Sequence, residues 1–203
     1  IGVVSIDTTA GGILTVNVSA NEDDFIHKAT GFTSTTIIDA AEVTINSKNS
    51  DSNDIVNTLG SLTLDNDETN SLTIVAEDSA GLNTGNIPVN TSEALQTLSM
   101  SSAAGAASVL GTMVDAPSLQ TLSLTATGVS STLTAGAIGG TEAAALTSLT
   151  ISASGTAEVT VGLIQSDQSP TTAGSTVSIS VNDANSKLTL SSTTSDIIDF
   201  GAG

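Results

Sequence analysis

The side chains able to do chemistry in this chain are almost all carboxylates. Its 203 residues hold 21 acidic and three basic side chains, a formal charge of −18. Four groups are compact: Glu22-Asp23-Asp24, Asp51-Ser52-Asn53-Asp54, Asp65-Asn66-Asp67-Glu68 and Glu77-Asp78. Calcium takes six to eight oxygen ligands, and loops that mix Asp, Asn, Glu and main-chain carbonyls supply them. Calcium is therefore the expected cofactor. Its candidate ligands are Asp65, Asp67 and Glu68, then Asp23 and Asp24, then Asp51 and Asp54. Asp65 to Glu68 is the foremost group because it separates two strand-like runs, Leu62–Leu64 and Leu72–Val75. The competing reading is a solvated hairpin turn, for which Asn and Asp are the usual residues. No loop follows the twelve-residue pattern of an EF-hand.

For catalysis the inventory is thin. There is no Cys and no Tyr, and the single histidine, His27, lies in Asp24-Phe25-Ile26-His27-Lys28 with no Gly-x-Ser-x-Gly elbow in the chain. A carboxylate-pair glycosidase or a β-helical polysaccharide lyase would call for aromatic platforms and Arg or Lys against acidic sugars. The composition is poor in both: aromatics are 1% and there is no Arg. The expectation is a protein that is not an enzyme. With Lys28, Lys48 and Lys187 as the only basic residues, there is no patch to neutralise phosphates, which excludes nucleic acid as a partner. No apolar run approaches the roughly 20 residues of a membrane-spanning helix, so membrane insertion is not expected.

The elements that position these residues follow from composition and spacing. Ser and Thr make up 62 positions, and the hydrophobic 38% is mostly Ala, Val, Ile and Leu. Such a chain favours strands around a thin aliphatic core. Leu95-Gln-Thr-Leu-Ser-Met100, Leu119-Gln-Thr-Leu-Ser-Leu124 and Leu146-Thr-Ser-Leu-Thr-Ile151 share one pattern, their starts 24 and 27 residues apart, and Leu59-Gly-Ser-Leu-Thr-Leu64 is a further copy. After each of the first three comes a second short strand ending at Gly111, Gly136 or Gly162. Two strands per about 25 residues predict one coil of a β-solenoid, and about eight coils for the whole chain. Leu122 and Leu149 should then be buried on neighbouring parallel strands, with Thr and Ser facing water.

The fold expected is all-β, a parallel β-helix-like solenoid, with an antiparallel β-sandwich as the alternative. Residues 59–203 form the repetitive part. Residues 1–58 carry strand-like runs at Val3–Ile6, Ile13–Val18, Thr36–Ile38 and Val43–Ile45 with irregular spacing, and read as a capping region or a small antiparallel sheet. Ala-rich Ser92–Leu110 and Thr141–Leu146 also permit a helical reading, since each opens on a Ser or Thr followed by Glu. The start at Ile1 reads as a processing site or a fragment boundary.

The terminal stretch Ser195-Asp-Ile-Ile-Asp-Phe-Gly-Ala-Gly203 resembles the Asp-x-Ile-x-Asp-Phe-x-x-Gly segment beside the calcium-binding repeats of RTX-type secreted bacterial proteins. Several S-layer proteins are among these, with bodies similarly rich in Thr, Ser, Ala and Val. The chain has no Gly-Gly-x-Gly-x-Asp repeat, so the family's own calcium sites are not carried over. What the resemblance implies is secretion to a bacterial cell surface, calcium dependence and self-assembly into a surface layer, with cell-surface polysaccharide as a further partner. An adhesin or stalk domain is the first alternative, and a polysaccharide-active β-helix enzyme the second.

Overall fold

The computed structural model describes residues 3–20, 34–49, 55–64, 67–77, 80–85, 93–142, 146–165, 176–190 and 198–199. In chain order its strands are β1 (Val3–Ala20), β2 (Ser34–Asn49), β3 (Ile55–Thr58), β4 (Ser61–Thr63), β5 (Ser71–Glu77) and β6 (Ala80–Asn83). Three-stranded coils follow: β7 (Thr97–Ala103), β8 (Ala107–Leu110) and β9 (Met113–Asp115), then β10 (Thr121–Thr127), β11 (Thr132–Ala135) and β12 (Ile138–Glu142). The last two coils are β13 (Ser148–Ser154), β14 (Glu158–Val161) and β15 (Ile164–Gln165), then β16 (Thr176–Val181), β17 (Lys187–Leu190) and β18 (Ile198–Asp199).

The protein is a β-solenoid: among the described residues the last four coils each send one strand to each of three stacked sheets, whereas β1 to β6 belong to the first two sheets alone. The first face runs β1-β2-β5-β7-β10-β13-β16, the second β17-β14-β11-β8-β6-β3, the third β18-β15-β12-β9. The ladders are parallel throughout, as they must be when the chain returns to a face in the same direction after every coil. That excludes the antiparallel sandwich. Among the described residues there is no helix, and the Ala-rich stretch read as helical holds β7 and β8 instead. Period-2 alternation and stacking partners on both sides outweigh the helix propensity of its alanines.

Leu122 and Leu149 are paired across β10 and β13 and are both buried. They belong to a column that continues through Val43, Leu72 and Leu98. A second column carries Ile45, Ile74, Met100, Leu124 and Ile151. All of these side chains are at most 1% exposed. Stacking like on like fills a narrow core without aromatic rings, because each aliphatic side chain packs against the copy above and below it.

At the N-terminal end the four short runs merge pairwise into β1 and β2, which pair in parallel with a register shift between Asp7 and Ile13. The bend falls where Gly11 and Asp39 take positive φ. The front of β2 pairs with β4 and its rear with β5, so β1 and β2 share the ladder of the later coils, and no antiparallel pairing is found among the described residues. Inside this end, Asn57 donates to Ser47 Oγ at 2.9 Å and Ser47 donates to the Gly81 carbonyl at 3.0 Å. These buried polar groups are thus satisfied.

The turn glycines also stack. Gly85 and Gly111 are bonded, N–H of Gly111 to the Gly85 carbonyl at 2.9 Å. A Cβ on Gly85, whose φ is +61°, would stand 2.3 Å from the Gly60 carbonyl oxygen. Gly60, Gly85, Gly111, Gly136 and Gly162 therefore extend the periodic glycine two coils further toward the N-terminus than the leucine motif alone indicates.

Candidate assembly face

The outer surface of the first face is built by the same alternation that builds the core. On β5, β7, β10 and β13 the positions between the buried ones point outward, and register carries the same positions onto β16, where Val177, Ile179 and Val181 are exposed as well. Three such positions per strand are Ser71, Thr73 and Val75; Thr97, Ser99 and Ser101; Thr121, Ser123 and Thr125; Ser148, Thr150 and Ser152; and Thr176, Ser178 and Ser180. In-register pairing aligns them into three columns. All but Val75 carry a hydroxyl, and none is charged.

Two rungs bond directly through these groups: Ser152 donates to Thr125 Oγ1 at 3.4 Å, and Thr176 donates to Ser148 Oγ at 3.3 Å. Charge is held at the N-terminal margin of the face, where Glu42 is exposed and Lys48 lies 3.8 Å from Glu77. The second face carries Glu158 and Lys187, ion-paired at 2.7 Å on its surface. Water-facing Thr and Ser are expected from the pattern, but their concentration on one face depends on which strands the coil brings together.

The expected calcium ligands are placed as follows. Asp67 is exposed and Glu68 half-buried, both in the turn between β4 and β5. Asp65, Asp23, Asp24, Asp51 and Asp54 lie outside the described residues, as do His27 and Lys28. Among the described residues no three His, Asp or Glu side chains gather as a metal site. Two carboxylates fall short of the oxygen count calcium takes, so the described residues alone do not form a cage.

One carboxylate with a defined task was not singled out by the sequence. Asp183, in the turn between β16 and β17, accepts from the Ser186 hydroxyl at 2.8 Å and from the backbone N–H groups of Ser186 at 2.9 Å and Asn185 at 3.1 Å. It also accepts from the Gly155 N–H of the preceding coil, at a corner where Gly155 has φ +72°. The Asp-x-Asn-Ser spelling marks a turn; the bond to a residue 28 positions earlier requires the stacked coil.

These donors favour the ionised carboxylate, the Ser186 hydroxyl most, and hold its pKa below the ordinary value of 3.8. A depressed pKa means that the clamp is fully present above 3.8 and is lost as pH falls through the lower folded-state value. The Gly155 amide resonance is expected to titrate with a midpoint below 3.8, and that transition should vanish in Asp183→Asn. A midpoint at or above 3.8 would contradict the clamp.

No protein-family model matches this chain, and no curated protein or solved structure matches it either.

Proposed function

We propose that the chain is an extracellular structural protein that assembles with copies of itself into a bacterial surface layer, with calcium relieving the repulsion between acidic subunits. The observation that carries this reading is the set of three uncharged, hydroxyl-rich columns on a chain of charge −18. A solenoid repeats one contact at every coil, which suits a lattice more than a single binding event. The resemblance of Ser195–Gly203 to RTX-type surface proteins supports secretion and calcium dependence, and cell-surface polysaccharide would anchor the layer. The acidic loops, Asp65 to Glu68 foremost, are the proposed calcium contacts. The chain's poverty in Lys, Arg and aromatic residues favours a structural role over catalysis.

Light scattering of the purified chain tests this. Calcium should raise the particle mass and chelation should reverse it. Sodium at matched ionic strength should not substitute, because screening weakens repulsion without supplying directed coordination. A strictly monomeric chain in calcium would favour the adhesin reading instead.

A further inference from the structure

We infer that the hydroxyl face spanning β5 to β16 is a self-complementary contact through which two copies of this chain pack face to face. This deepens the surface-layer reading and rests on it, because that reading requires a contact between identical subunits but does not say which surface makes it.

Charge selects the face. Two chains of −18 repel on approach, and the cost is smallest where neither presents a carboxylate. The described second face presents Glu158 and Lys187, and the turn between β4 and β5 presents Asp67 and Glu68. The three hydroxyl columns of the first face present no charge over five consecutive coils; the one carboxylate at an outward position of these strands, Glu77 at the end of β5, lies beyond the columns and 3.8 Å from Lys48.

Shape and chemistry agree with this choice. Ser and Thr are short, so two such sheets approach closely, and every hydroxyl is both donor and acceptor. A surface of this kind is complementary to itself in any two-fold arrangement, as an isologous contact demands. A face of aspartates or lysines is not.

Size sets the strength. Five strands about 4.8 Å apart and six residues long at about 3.3 Å each give a patch on the order of 480 Å². Two copies would bury about twice that, near the roughly 1,000 Å² at which specific interfaces begin. A single pairing is therefore weak and concentration-dependent, and it gains strength when a lattice engages many copies at once.

The test uses sedimentation equilibrium of the 203-residue chain and two variants, each measured in calcium and in chelator. Ser123→Lys puts an ammonium at the centre of the hydroxyl columns. Thr134→Lys puts one on the second face at an exposed outward position. Both changes make the net charge less negative by one, which alone would ease association. If the hydroxyl face is the contact, Ser123→Lys weakens pairing about tenfold or more and Thr134→Lys leaves it unchanged. Circular dichroism and the urea midpoint report whether each variant folds, and Ser99→Asp stands in if Ser123→Lys does not fold: it should weaken pairing about tenfold or more. Thr134→Asp, which adds the same charge to the second face, should weaken it far less, and equal losses in the two would overturn the inference.

Equal pairing by the parent and a folded Ser123→Lys would overturn the inference while leaving calcium-driven assembly intact. So would equal loss in both lysine variants. Pairing that persists in chelator and responds only to Ser123→Lys would uphold the face and count against calcium. A parent that stays monomeric in both solutions overturns the face and the surface-layer reading together.

Discussion

Replacing Leu98 with aspartate is expected to unfold the central coils, and replacing it with alanine to cost about 2–5 kcal/mol. Leu98 is fully buried and sits in register between Leu72 and Leu122. Alanine leaves a cavity that those two leucines cannot both fill, because each is held by its own strand. Aspartate is worse, since an unpaired charge in an aliphatic core has no partner to offset its desolvation. In a solenoid each coil is stabilised chiefly by its neighbours, so damage at a middle rung separates the stack into two shorter ones. Urea denaturation followed by circular dichroism measures this. Ser99→Asp, one residue along on the outer surface, is the control and should change stability by about 0.5 kcal/mol or less. An alanine variant as stable as the parent would show that Leu98 is not in the core.

Gly81→Ala carries the second large effect. The added methyl would lie 1.9 Å from the carbonyl oxygen of Ala107 and 2.7 Å from its carbonyl carbon, both backbone atoms of the next coil. Neither can rotate away as a side chain would, so the two coils must part. That loosens the second sheet and disturbs the Ser47 hydroxyl bonded to the Gly81 carbonyl. Overpacking of this kind costs about 1–3 kcal/mol, and the backbone clash places it at the upper end. Gly11→Ala is the comparison: nothing lies within 4 Å of its Cβ position and only its φ of +73° opposes the change, a cost of about 1–2 kcal/mol. A thermal melt in which Gly81→Ala loses no more than Gly11→Ala would contradict this packing of β6 on β8.

The amino-acid sequence alone determined the repeating unit. Strand alternation is a local property, so Leu122-Ser-Leu-Thr-Ala states which side chains go in and which go out before any partner is known. A spacing of 24 to 27 residues between copies then determines that they stack. It did not determine how far the repeat extends. β1 and β2 are legible as strand-like runs, but their spacing is irregular, and only pairing with β4 and β5 places them on the same ladder.

Tertiary structure alone decided the rest, because each remaining feature is a contact between residues about one coil apart. Gly81 reads as an ordinary strand glycine until Ala107 is laid against it. Asp183 reads as a turn aspartate until Gly155 donates to it from the preceding coil. The hydroxyl columns are likewise a property of the stack: hydroxyls are scattered along the whole chain, and only the register of β5, β7, β10, β13 and β16 gathers them into columns, two from β5 and three from each of the other strands. Alternation dictates orientation at each residue, whereas adjacency between coils is settled by turn length and backbone closure, which no short window of sequence contains.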